Sequence, residues 1–248
     1  MTRVAVVTGA AGGIGGAVVD QLADDGWRVI AVDVREDELA ARAAHWPGHV
    51  LAKAADVRDR EAMAEAVALA ETEFGGLDAA VACAAVIAGG TPLWETPDED
   101  WDALFDHGVR GVFQLARAAI PALLRRKEPR SGRFVALASA AAHRGLWHLA
   151  GYNAAKHAVV GLIRGLATDL RGTGITATAV SPGSTRTAML DATAELYDLP
   201  DVEEFARHQL VERLLDPREV AEAVCWLCGE RSSAITGTVV HADGGFTA

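Results

Sequence analysis

Short apolar runs, many of them β-branched, alternate along the chain with long alanine-rich stretches whose apolar positions recur at helical spacing. The first kind predicts strands near 3–8, 28–33, 50–54, 78–82, 133–138, 174–180 and 237–241. The second predicts helices near 13–25, 36–44, 59–74, 98–127, 151–171 and 217–228. Val29-Ile30-Ala31-Val32 and Phe134-Val135-Ala136-Leu137 are unbroken in apolar residues, the pattern of parallel strands covered on both faces. Regular β–α alternation implies right-handed crossovers, hence an α/β fold: a doubly wound parallel sheet of seven strands with helices on both faces. No repeat or linker interrupts the pattern, so residues 1–248 read as a single domain. The least regular stretch, 184–216, is too long for an ordinary connection and reads as a substrate loop or lid.

Composition narrows the function classes. Half of the 248 residues are apolar, enough for a buried sheet, and 23 basic against 34 acidic residues give a net charge of −11. That balance, with no run of like charge, speaks against a nucleic-acid partner. No apolar run reaches membrane-spanning length, and the first strand begins at once, so neither a membrane partner nor a signal peptide is expected. Cys83, Cys225 and Cys228 build no disulfide framework, which fits a reducing, cytoplasmic setting. Cys225 and Cys228 could form a redox or metal pair. They lie in an apolar helical stretch without a second ligand pair, which favours packing, and no metal is expected.

Candidate chemistry sits at two places. Thr8-Gly9-Ala10-Ala11-Gly12-Gly13-Ile14-Gly15 follows the first strand directly and opens the first helix. Glycines let a backbone approach a pyrophosphate, and a helix N-terminus offers its free N–H groups to that charge. A tight strand–helix turn that is merely glycine-rich is the competing reading. The second strand ends in Asp33, whose carboxylate can bond both ribose hydroxyls of an adenosine and would repel a 2′-phosphate. Arg35 nearby pulls the other way, but no basic residue lies within the loop itself, so NAD is expected over NADP. Farther along, Tyr152 and Lys156 stand i, i+4 on one helix face. A cation near the phenol lowers its pKa from about 10 and turns Tyr152 into a candidate proton shuttle.

On these residues the chain resembles the short-chain dehydrogenase/reductase family. The carriers are T-G-x-x-x-G-x-G at 8–15, Ser139 at the end of the fifth strand and Y-x-x-x-K at 152–156, and the match covers essentially the whole chain. The resemblance implies a Rossmann fold and an NAD-dependent alcohol dehydrogenase or carbonyl reductase acting on a secondary alcohol or ketone. Its catalytic residues would be Ser139, which orients the substrate oxygen; Tyr152, which gives or takes the proton; and Lys156, which binds the nicotinamide ribose and depresses the Tyr152 pKa. Gly9, Gly13, Ile14, Gly15 and Asp33 would hold the adenosine and pyrophosphate, Asp56 and Val57 the adenine. Pro182, Gly183, Thr185 and Thr187 match the P-G-x-x-x-T segment on the carboxamide and phosphates, and Tyr152 and Lys156 complete the cofactor set. A homotetramer, or at least a homodimer, is implied through the helices near 98–127 and 151–171, where Ala154, Ala155, Ala158 and Gly161 would permit close contact.

Two departures stand out. Ala82-Cys83-Ala84-Ala85 replaces the family's Asn-Asn-Ala-Gly, and Gly108 falls where the family places an Asn that holds a relay water. His107 is adjacent, but the next residue on a helix points elsewhere, so neither enters the catalytic set. These departures favour another reading, a non-catalytic NAD-binding sensor or assembly protein, while the intact Ser139, Tyr152 and Lys156 favour catalysis. A third reading, a dehydratase or epimerase on the same fold, needs a bound cofactor regenerated in place. The segment 140–151 is expected to line the substrate pocket with His143, Arg144, Trp147 and His148 beside Ser139, and Trp94 and residues of 188–212 to close over it. Segments 86–94, 143–148 and 240–248 also resemble an actinobacterial subgroup associated with the redox peptide mycofactocin, which implies NAD recycled in place by an external carrier.

Overall fold

The apolar runs form seven strands in the computed structural model, which describes residues 2–248. They are β1 Val4–Thr8, β2 Arg28–Asp33, β3 Val50–Ala54, β4 Ala79–Ala82, β5 Arg133–Leu137, β6 Thr176–Pro182 and β7 Val239–Ala242. All pair in parallel, in the order β3-β2-β1-β4-β5-β6-β7. Every residue of β1, β4, β5 and β6 is buried, as strands covered on both faces require. The edge strand β3 exposes alternate residues instead.

Eight α-helices cover the two faces among the described residues: α1 Gly13–Asp24, α2 Glu36–His45, α3 Arg60–Phe74, α4 Asp98–Phe105, α5 Gly111–Leu124, α6 Ala150–Asp169, α7 Ala188–Leu196 and α8 Pro217–Cys228. On one face α3, α5 and α6 bury Met63, Leu115 and Ile163 against Phe134. On the other, α1, α2 and α8 bury Leu22, Leu39 and Val224 against β1, β2 and β5. Each fully buried side chain of this size contributes about 1.5–3 kcal/mol. None of the described helices is long and apolar enough to cross a membrane. Cys225 and Cys228 belong to this packing; the Cys225 thiol donates to Val18 O at 3.8 Å, and burial pushes the Cys228 thiol up to about 12.

Two expectations change. The helix anticipated over 98–127 is divided by a π-helical turn, Asp106–Arg110, between α4 and α5. A π turn keeps the chain helical while widening one turn, so apolar spacing alone does not register it. The stretch 184–216 is also more ordered than its irregular pattern suggests. It holds α7 and a 3₁₀ segment, Val202–His208, and Thr187 caps α7 by accepting from Leu190 N at 3.3 Å. Its two ends are tied together: Leu215 N donates to Ser184 O at 3.0 Å and Arg186 N to Leu215 O at 2.9 Å. A capping box between Asp216 and Glu219, with Pro217 in the first turn, then starts α8 sharply.

β1 lies between β2 and β4, where the winding of the sheet reverses. Connections leave that point toward opposite faces, so a crevice opens outside the C-terminal ends of the strands.

Candidate active site

The crevice is a cavity of about 1110 Å³. A single drug-sized ligand occupies roughly 300–1,000 Å³, so a dinucleotide and a small substrate can share it. All thirteen residues expected to bind the cofactor line this one cavity.

At its β1 end the glycine loop is built for close backbone approach. Gly9 has φ +68°, and a Cβ there would lie 2.7 Å from Ala84 N. A side chain is excluded both by the left-handed backbone and by the Cys83–Ala84 segment. That segment carries no Asn tie; Thr8 Oγ1 instead donates to Val81 O at 3.5 Å between β1 and β4. A Cβ on Gly13 would sit 2.5 Å from Thr187 Cγ2, so the start of α7 rests directly on the loop. No side chain caps α1 at Gly12. Its first N–H groups therefore face the cavity without a protein acceptor, which suits a pyrophosphate.

Asp33 ends β2 with its carboxylate in the cavity wall, accepting from Ala11 N at 3.0 Å and from Arg35 N at 3.1 Å. Arg35 Nε lies 3.3 Å from the same carboxylate, and its side chain is half-exposed. Asp56 is paired with Arg58 at 2.7 Å, and hydrogen bonds from that guanidinium hold its carboxyl below the usual carboxylate range. Gly183 admits no side chain, because a Cβ there would meet Gln209 Oε1 at 2.2 Å and Asp243 O at 2.5 Å. Gln209, buried, donates to Ser184 O at 3.2 Å and to Arg213 O at 2.6 Å, fastening the 184–216 segment to the end of β6. Nothing in the sequence pattern singles Gln209 out.

Ser139, Tyr152 and Lys156 meet at the centre of the cavity. Ser139 Oγ accepts from Ala141 N at 3.2 Å, which holds the hydroxyl at the end of β5. Tyr152 is 8% exposed and Lys156 4%. Lys156 Nζ donates to Leu137 O at 3.0 Å and lies 5.7 Å from the centre of the Tyr152 ring. Burial pushes the Tyr152 phenol above its ordinary pKa, and the neighbouring Ser139 hydroxyl pulls it partly back. The direction is opposite to the depression expected from Lys156. The reason is that the phenol's own burial outweighs its surroundings, while the Lys156 ammonium, itself lowered by burial to about 8, is directed at Leu137 O rather than at the phenolic oxygen.

Gly108 lies buried inside the π turn, and a Cβ built on it would meet nothing within 4 Å. His107 lines the cavity, with Nδ1 at 2.9 Å from Ala103 O.

The substrate end divides the expected residues. Arg144 and Trp147 line the cavity; His143 and His148 do not. His143 turns to the other side of its loop, where Nε2 is 2.9 Å from Ser181 Oγ and its ring 4.5 Å from that of His241. His148, at φ +53°, places Nδ1 3.2 Å from Gly90 O and stacks behind Trp147 at 3.5 Å. Trp94 is 84% exposed and stands away from the cavity. Met189, Leu190, Tyr197 and Phe205 of the 188–212 segment do line it, whereas Leu196 packs beneath. Arg207, His208 and Phe246 also line it. Arg207 and His208 lie in the 188–212 segment expected over the pocket and Phe246 in 240–248, but the sequence singles out none of the three individually. The folding of these segments onto the 140–151 loop brings them together.

Similar proteins span the full length of the chain. The sequence model of a family described as enoyl-(acyl carrier protein) reductase matches residues 9–247. The A-factor type gamma-butyrolactone 1'-reductase (1S-forming) of Streptomyces virginiae is 37% identical over 257 residues, covering 99% of this chain and 95% of its own. Among solved structures, a variant of actinorhodin polyketide ketoreductase with NADPH superposes with a TM-score of 0.92 at 31% identity, covering 99% of this chain and 97% of that one. The 3-ketoacyl-(acyl-carrier-protein) reductase from Brucella melitensis complexed with NADH gives 0.90 at 29% identity, with 99% and 98% covered.

Proposed function

From a chain that belongs to the short-chain dehydrogenase/reductase family and is therefore an oxidoreductase, we propose an NAD-dependent alcohol dehydrogenase or carbonyl reductase acting on a secondary alcohol or ketone. The observation that carries this reading is the convergence of Ser139, Tyr152 and Lys156 with an uncapped glycine-loop helix in one cavity. A bound nicotinamide would accept hydride from the alcohol carbon or deliver it to the carbonyl carbon. The Ser139 hydroxyl donates to the substrate oxygen and holds it toward Tyr152. The Tyr152 hydroxyl donates its proton to the nascent alkoxide in reduction and takes it back in oxidation. The Lys156 ammonium, three donors on a buried stem, bonds ribose hydroxyls and adds positive charge beside the phenol. Burial of both groups excludes water and keeps the reacting atoms in line.

Gly108 favours a second reading, a non-catalytic NAD-binding sensor or assembly protein, because no side chain stands where the family's relay water is held. Secondary alcohols and ketones screened with NAD(H) and NADP(H), with an artificial electron acceptor added, separate the two. Turnover of any of them supports the enzyme; tight NAD binding without turnover supports the sensor, and a dehydratase or epimerase would convert substrate with no net change in the cofactor. Turnover that needs the acceptor would mark a cofactor recycled in place.

The cofactor preference is proposed as NAD because a 2′-phosphate would meet the Asp33 carboxylate, with Arg35 already engaged by it. Asp33→Ala frees Arg35 and removes the repulsion. The NADH-over-NADPH binding ratio is expected to fall by about tenfold, as read by fluorescence titration, and tighter NADPH binding by the unmodified protein would sink the preference.

A homotetramer or homodimer is proposed from the family resemblance, and a cytoplasmic setting from three cysteines that form no disulfide. Gly161 is exposed with open space around it, and Trp101 and Phe113 are partly exposed on α4 and α5, surfaces that a second copy would cover. Ala155 is buried beneath Tyr152 and takes no part in that face. Light scattering at micromolar concentration is expected to give a multimeric mass; a monomeric one contradicts it.

A further inference from the structure

The half of the cavity beyond Ser139 and Tyr152 is walled by aromatic rings drawn from three separate segments. Trp147 stacks on Tyr197 with centroids 5.9 Å apart, and Tyr197 lies 6.3 Å from Phe205. Phe205 is 6.2 Å from the His208 ring, which stands edge-on to Phe246 at 5.9 Å. The Tyr197 hydroxyl donates to Trp147 O, locking the 184–216 segment to the 140–151 loop. At the open end of this arc three basic side chains gather. The Arg144 guanidinium carbon is 5.9 Å from the Phe246 ring centre, and its Nη1 donates to Phe246 O at 3.3 Å. Arg144 and His208 thus bracket one ring, and Arg207 is next to His208 in the chain. All three line the cavity, exposed at its mouth, and no Asp or Glu lines this half. The carboxylates around it lie outside the lining and are engaged: Glu204 sits 3.4 Å from Arg207, Glu203 pairs with Arg186, and Asp243 accepts from Gly245 N and Thr247 N.

The three groups feel one another. The His208 imidazole is pushed below its ordinary pKa, first by burial and then by the positive charges of Arg207 and Arg144. The two guanidinium charges at the mouth repel, His208 stays neutral near pH 7 as a hydrogen-bonding partner, and an anion placed among them relieves that cost. In a chain of net charge −11, a basic island at the mouth of this cavity favours anions there. We propose that the substrate carries an anionic group, a carboxylate or a phosphate, at the end opposite its reacting carbon, held by Arg144, Arg207 and His208 while an apolar body lies along the aromatic arc. This rests on the reading of the cavity as that of an alcohol or ketone oxidoreductase.

Two matched pairs of probes test it and tell the two anion sources apart. One is 4-oxocyclohexanecarboxylate against its methyl ester; the other is acetoacetyl-coenzyme A against the N-acetylcysteamine thioester, which lacks the phosphates. Dissociation constants are measured by calorimetry on the cofactor complex, and kcat and KM alongside. Solvent-exposed pairs are individually weak, so the charged member of one pair is expected to bind about tenfold more tightly, with the gain in KM rather than in kcat. That ratio should shrink as salt is raised and fall toward one in the Arg144→Gln, Arg207→Gln double variant. Preference within the first pair identifies a carboxylate, within the second a phosphate. Equal dissociation constants in both pairs, or a preference that survives in the double variant, overturn the inference. If charged probes bind selectively but no ketone is turned over, this inference stands and the oxidoreductase reading of the site fails instead.

Discussion

Tyr152→Phe is expected to lower turnover about 10²–10⁴-fold, the usual cost of losing a general acid or base, while NAD(H) affinity stays near that of the unmodified protein. The phenyl ring keeps the packing of a side chain that is 8% exposed among Leu104, Ala141 and Leu149, so the fold should not suffer. What disappears is one hydroxyl beside Ser139, the group proposed to exchange a proton with the substrate oxygen. Burial raises the phenol's pKa in the ligand-free protein, so the proton is held until a charged partner arrives. Activity of the unmodified enzyme should therefore rise with pH in the oxidation direction. A Tyr152→Phe protein that turns over at the unmodified rate would remove the hydride-transfer assignment and leave an NAD-binding scaffold.

Lys156→Met is expected to abolish most turnover and, unusually for a loss of function, to raise the melting temperature of the ligand-free protein at pH 7. The ammonium is 4% exposed, with Leu137 O at 3.0 Å as its hydrogen-bond acceptor, and burial lowers its pKa to about 8. For a base whose folded pKa lies below the unfolded one, the unfolded chain holds the extra proton. The folded state therefore carries the full penalty below pH 8 and sheds it as pH rises from about 8 to 10.5. A shift of this size corresponds to roughly 3 kcal/mol, against about 1 kcal/mol for the hydrogen bond to Leu137. Methionine fills similar space without charge. The net gain of roughly 2 kcal/mol should raise Tm by about 4–8 °C in a chain of this length. Scanning calorimetry at pH 7 and pH 10 checks both the sign and its pH dependence. A variant that melts lower than the parent at pH 7, or a difference that does not narrow by pH 10, would show that the lysine is not strained by burial. The same numbers make the lysine costly to keep, and in the proposed site that charge would serve a ligand's ribose.

How far the chain could be read residue by residue follows from the range of the interactions involved. Unbroken apolar runs such as Phe134–Leu137 identify buried parallel strands because each residue's environment repeats along the strand. The sheet and its helices were accordingly legible, with boundaries displaced by a few residues. That the glycine loop, Asp33, Tyr152 and Lys156 share one crevice follows from their places at strand ends and on one helix face, whereas Ser139 is reached only through the resemblance to the family. Other features depend on segments meeting across the molecule. His143 lies in the stretch expected to face the substrate, yet Ser181 and His241, brought alongside by β6 and β7, draw it away. Arg207 and His208 are placed by the pinned ends of the 184–216 segment and the Tyr197–Trp147 bond, and Phe246 reaches them from beyond β7, where Arg144 bonds its carbonyl. The π turn at Gly108 hides within a helical pattern because hydrophobic periodicity counts faces, not hydrogen-bond lengths. Lys156 makes the same point electrically: its type and spacing are written in the chain, but the depth of burial that lowers its pKa is a sum over neighbours that only the closed fold supplies.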